Sequence, residues 1–166
     1  PATKVGEELM GIPSFDTPDF SALFAEEKDM IAKMKKVFLM VAGSAVQKYG
    51  TELENHQQLM MSAADILIQI YMAESTILRT EKNAKRFGEE SQTIQIAMSK
   101  LYLYNAIETA ISKGKEAIIS FAEGDEQRMM LMGLKRFTKY TNNPNVVALK
   151  TQIADKIAAD NGYTFD

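Results

Sequence analysis

The chain has 166 residues, 46% of them apolar and 25% charged, with a net charge of −3 and no cysteine. That length and balance fit one globular domain with a real core, and the negative charge argues against a general nucleic-acid binder, whose phosphate contacts need clustered cations. The absence of cysteine removes disulfides, thiolate metal sites and cysteine nucleophiles together, and suits a cytoplasmic setting.

Residues 1–24 read as a linker with a short helical lead-in. The stretch "GIPSFDTPDF" is rich in turn formers, and Thr17 before Pro18 is a cap followed by a first-turn proline. No signal-peptide pattern opens the chain, and no apolar run reaches the length of a bilayer span. Because the first residue is Pro1 rather than Met, the expectation is a piece of a longer protein.

Residues 25–166 form the bundle domain. A first helix is predicted over 25–49, with Met30, Met34, Val37, Phe38 and Val41 at helical spacing. Gly50 ends it in a left-handed conformation, and Thr51 with Glu54 reads as a capping box for a second helix over 51–87, closed by Gly88. A third runs over 89–122, bent at Gly114. Gly124 then stops the chain and Asp125 caps a fourth helix over 125–140. The loop "TNNPN" leads to a last short helix capped by Asn145 and ending near Asp160. With no hairpin signal or sustained alternation anywhere, the expected fold is all-α: an antiparallel up-and-down bundle of four long helices plus a short C-terminal one.

A helical bundle raises the question of a di-iron centre, which needs a Glu-x-x-His pair from each of two helices. Only one histidine exists, His56, and Leu53 stands where its glutamate would be. Glu52 and His56 could share a zinc, but one pair is a weak signal, and a half-exposed histidine near a helix start is the favoured reading. One histidine and no nucleophile-elbow pattern leave no case for triad chemistry, and the nine glycines stand singly, without a phosphate-binding motif. The acid-glycine pair in "AEGDEQ" resembles a flavin-enzyme loop element, but reads better as a connection between helices.

Two groups of residues remain as candidates. Glu74 falls near the centre of the stripe of Leu59, Ala63, Ile66, Ile70 and Ile77, while Glu108 and Asn105 share a stripe on the next helix. Glu74, Asn105 and Glu108 are therefore expected to form a buried polar cluster. A lone buried acid would have a raised pKa and could act as a base or ligand. The favoured reading is a structural acid, hydrogen-bonded across the interface. The second group is "QRMMLMGLKRFTKY", where Arg128, Lys135, Arg136 and Lys139 flank Met130, Leu134 and Phe137. Basic residues beside an apolar face suit a membrane or partner surface, and the ordinary bundle helix is the simpler alternative.

The segments "ADILIQIYMAESTILRTEKNAKRFG" and "IQIAMSKLYLYNAIETAISKGKEAI" carry a resemblance. Ala64-Asp65-Ile66 opening one helix, and Ala97-Met98-Ser99-Lys100-Leu101 in the next, resemble the C-terminal helical domain of acyl-CoA dehydrogenases. The whole chain is similar to the extra C-terminal region of the very-long-chain-type bacterial enzymes, itself like a degenerate second copy of that domain. The family's Gly-Gly-x-Gly stretch is represented only by Gly114, no arginine-aspartate pair follows, and Glu123-Gly124 comes too early to be the flavin loop. The resemblance therefore carries over no catalytic, cofactor-binding or metal residue, and implies no cofactor in this segment.

For the parent chain, the same resemblance implies oxidation of fatty acyl-CoA thioesters at the α,β carbons, with FAD as cofactor and an electron-transfer flavoprotein as acceptor. It places the catalytic domains upstream of Pro1 and implies a homodimer, in which this domain helps set the assembly and contributes to peripheral membrane contact. A stand-alone bundle that binds a small ligand or metal through buried acids is the alternative.

Overall fold

The computed structural model describes residues 19–162. Among them are five α-helices and no strand: α1 Ala25–Tyr49, α2 Gln57–Phe87, α3 Thr93–Phe121, α4 Gly124–Phe137 and α5 Val146–Asp160. Single 3₁₀ segments, Gly50–Asn55 and Glu90–Gln92, join α1 to α2 and α2 to α3. Three helices are long, of 25, 31 and 29 residues, whereas α4 has 14 and α5 has 15. The fourth helix is thus about half the length of the first three.

Cross-helix contacts give the directions. Lys28 at the start of α1 pairs with Glu81 near the end of α2 (2.8 Å), so those helices are antiparallel. Buried Thr80 and Ser99, 2.9 Å apart, set the end of α2 against the start of α3. Lys100 reaches Glu27 at 3.3 Å, and the Lys48 ammonium donates to the Phe121 carbonyl, so α1 and α3 run the same way across the bundle. After α4 turns back, Glu26 accepts from the Thr141 and Asn142 backbone N–H groups at 3.0 and 2.7 Å. The result is up-down-up-down, with α5 lying along α3.

The core follows from helical spacing. Buried positions on α2 are Leu59, Ser62, Ile66, Ile70, Ala73, Ile77, Thr80 and Ala84, separated by three or four residues throughout. They meet Met30, Met34, Val37 and Val41 of α1 and Leu103, Ile107 and Ile118 of α3, all fully buried. Each large aliphatic side chain so placed contributes about 1.5–3 kcal/mol relative to exposure. Half of the α2 stripe is small, which lets α3 approach closely. Phe24 precedes α1 with a left-handed φ of 62° and is 2% exposed, so its packing offsets the backbone strain.

Several local expectations change. Thr51 and Glu54 do not cap α2: the chain forms a 3₁₀ segment there, Glu52 accepts from the Asn55 amide at 3.0 Å, and α2 starts at Gln57. Gly124 does have a positive φ of 56°, but it begins α4 itself; Glu123 is the capping position and Asp125 sits in the first turn. At Gly114, α3 continues unbroken. A Cβ there would lie 2.9 Å from Leu134 Cδ1, so the glycine is a point of close helix approach. Asn145 caps α5 as expected, its Oδ1 accepting from Ala148 N–H at 3.0 Å. Gly50 and Gly88 end α1 and α2 with φ of 52° and 89°. The Thr17–Pro18 turn lies outside the described residues.

Candidate functional site

Glu74, Asn105 and Glu108 do not form a buried cluster. Asn105 and Glu108 are exposed on α3. Glu74 has 41% of its side chain exposed and accepts from Lys35 of α1 at 2.6 Å. The error lies in the centre of the stripe. Ser62, Ala73, Thr80 and Ala84 are as buried as the large aliphatics and rotate the contact line away from Glu74. Glu74 is thus a half-exposed partner in a surface ion pair and not a buried acid.

The expected membrane or partner surface of α4 is likewise divided by the fold. Met130, Leu134 and Phe137 are 5%, 4% and 3% exposed, packed into the bundle core. Their apolar stripe faces α1 and α3 and is not available to a lipid surface. Arg128, Lys135 and Lys139 are exposed, Arg128 lies 3.9 Å from Asp125, and Arg136 is partly buried. Exposed apolar residues on this helix are Met129 and Met132.

Polar groups that the fold does bury are structural. Thr80 and Ser99 share a hydrogen bond between α2 and α3, and Ser99 also donates to the Gln95 carbonyl at 2.7 Å. Tyr102 donates to Gln69 at 3.1 Å, again linking α2 and α3. Tyr140 stacks on Tyr104 with ring centroids 6.4 Å apart. Burial, aided by the negative charges of Glu27 and Glu26, pushes its phenol well above the usual range. His56 stacks on Tyr49 at 3.7 Å. No group of three potential metal ligands occurs among the described residues.

Among the described residues, two surface hollows accompany these groups. One, of about 240 Å³, runs between α1 and α2 and is lined by Lys28, Ile31, Lys35, Glu74, Ile77 and Leu78. The other, a broad trough of about 520 Å³ on α4, is lined by Gly124, Gln127, Arg128, Leu131, Met132 and Lys135. Asp125 and Glu126 already place carboxylates at the α4 N-terminus, which opposes anion binding there.

The sequence reading gave no weight to the exposed side of α2. There Met61, Leu67, Ile68, Tyr71, Met72 and Leu78 are between 44% and 69% exposed. The signal was present, since the run from Met61 to Leu78 is apolar on more than one stripe of the helix.

These features define an all-helical bundle domain. Comparison with known proteins supplies the family: residues 33–136 match the model of the acyl-CoA dehydrogenase C-terminal domain. The chain belongs to that family. A probable acyl-CoA dehydrogenase of Bacillus subtilis (strain 168) is 33% identical over 163 residues, covering 98% of this chain and 27% of that protein. The crystal structure of an acyl-CoA dehydrogenase complexed with FAD from Bacillus anthracis superposes with a TM-score of 0.88 at 35% identity. It covers 99% of this chain and 27% of its own. The chain thus spans about a quarter of the length of both relatives.

Neither of these two hollows is lined by an aromatic side chain that would stack on a flavin ring, Gln127 is the one amide between them, and the charged groups lining the first are already paired as Lys28–Glu81 and Lys35–Glu74. No helix among the described residues is long and apolar enough to cross a membrane.

Proposed function

We propose that this bundle is a non-catalytic scaffold domain of a longer, FAD-dependent acyl-CoA dehydrogenase. The observation that carries the proposal is the match over 99% of this chain to 27% of an FAD-complexed dehydrogenase, so that most of such a protein lies outside the bundle. The rest of the protein would hold FAD, oxidise a fatty acyl-CoA at its α,β carbons and pass electrons to an electron-transfer flavoprotein in the cytoplasm. This domain supports that machinery and the dimeric assembly through packing.

The test compares two purified proteins. The full-length gene product is expected to be yellow and to oxidise acyl-CoA thioesters, whereas the 166-residue chain alone is expected to be colourless and inactive. Flavin bound by the isolated bundle, or a full-length protein without acyl-CoA oxidation, overturns the reading.

A further inference from the structure

Helix α2 is apolar on two opposite sides. One side is the buried stripe of Ile66, Ile70 and Ile77. On the other, Met61, Ile68, Tyr71 and Met72 are 60%, 54%, 69% and 44% exposed, flanked by Leu67 and Leu78 at 48% and 51%. At about 100° per residue the four central side chains share one stripe about 100° wide, and the six residues extend over about five turns. Single exposed apolar residues are ordinary on a protein surface, but a contiguous row of this length marks an interface. Beyond the row, the same side turns basic at Arg79, Lys82 and Arg86, all exposed.

We propose that this face of α2 docks on the remaining portion of the longer dehydrogenase chain. The inference rests on the functional reading above and adds where the contact is made. One observation and one physical argument select that occupant. The relatives are nearly four times as long as this chain, so most of such a protein lies outside the bundle. A surface tethered through the backbone is present at an effective concentration on the order of millimolar, which favours it over an untethered second copy. The docked surface is apolar opposite Ile68 and Met72, with acidic groups toward Lys82 and Arg86.

The methionines serve as reporters in the full-length enzyme. On mild peroxide treatment, sulfoxide formation at each methionine is read by mass spectrometry, with fully buried Met30 and Met34 as the protected standard. Met61 and Met72 are expected to oxidise at least about tenfold more slowly than in the urea-unfolded chain. Rates equal to those of the unfolded chain overturn the proposal. A photoactivatable phenylalanine analogue substituted for Ile68 then identifies the occupant. A cross-link within one chain, to a peptide outside residues 1–166, is the expected product. An adduct with a second copy or with another protein overturns the assignment. Unprotected methionines in an enzyme that binds flavin and oxidises acyl-CoA refute only the docking face. A full-length protein lacking both activities refutes the underlying reading, whatever the footprint.

Discussion

The buried pair Thr80–Ser99 makes a directional prediction about stability. Ser99 and Thr80 are 1% and 6% exposed, so neither hydroxyl has water to fall back on. A hydroxyl has one proton, and Ser99 spends its proton on the Gln95 carbonyl at 2.7 Å; Thr80 must therefore be the donor in the 2.9 Å contact. The two deletions are then unequal. Thr80→Val removes the donor, fills nearly the same volume and leaves the Ser99 proton satisfied, so it costs less than about 1 kcal/mol. Ser99→Ala leaves the Thr80 hydroxyl buried without its acceptor, at a cost of about 1–3 kcal/mol, softened where that hydroxyl swings back to the carbonyl one turn earlier. Adding Thr80→Val to Ser99→Ala removes the stranded group, so the double variant is more stable than Ser99→Ala alone. Urea unfolding at a common m-value measures all three. A double variant less stable than Ser99→Ala refutes the assignment of the donor and the account built on it.

Two further outcomes follow from the packing and from the charges around α4. Gly114→Ile drives a branched side chain into Leu134, whose Cδ1 is 2.9 Å from the Cβ position. A loss of about 2–3 kcal/mol is expected in thermal unfolding, partly recovered by Leu134→Ala; an unchanged midpoint would show that α3 and α4 are not in close contact. For Tyr140, the folded pKa lies above the ordinary 10.0, so the fold favours the neutral phenol. That contribution is fully present below the ordinary value and is lost as pH rises through the higher folded one. In an alkaline absorbance titration Tyr140 is expected to ionise late, and Tyr140→Phe should remove that late component; an identical curve for the variant would contradict the burial of its ring.

Much of the architecture is legible in local chemistry. Gly50 and Gly88 mark the ends of α1 and α2 because their positive φ suits glycine, and Asn145 marks the start of α5 because its side chain caps an exposed N–H. The residues by which the family was recognised turn out to link helices: Asp65 lies 3.7 Å from Lys113, and Lys100 pairs with Glu27. Such partly exposed pairs contribute modestly to stability and chiefly help fix register. The weak points in the reading were capping at Thr51 and Gly124, where short-range signals competed with a 3₁₀ segment and an early start of α4.

By itself, the sequence determined the helices, their order and the family, because these depend on periodicity, turn chemistry and short patterns. Which face of each helix is inside was decided only by the tertiary structure. Small buried residues on α2 carry as much of the contact line as large ones, so Glu74 moved to a surface ion pair with Lys35. On α4, the stripe of Met130, Leu134 and Phe137 became core, which a one-dimensional pattern cannot separate from an interfacial helix. On α2, the opposite row from Met61 to Leu78 remained exposed. Hydrophobic periodicity says that a face must be covered; which neighbour covers it depends on how the other helices are placed.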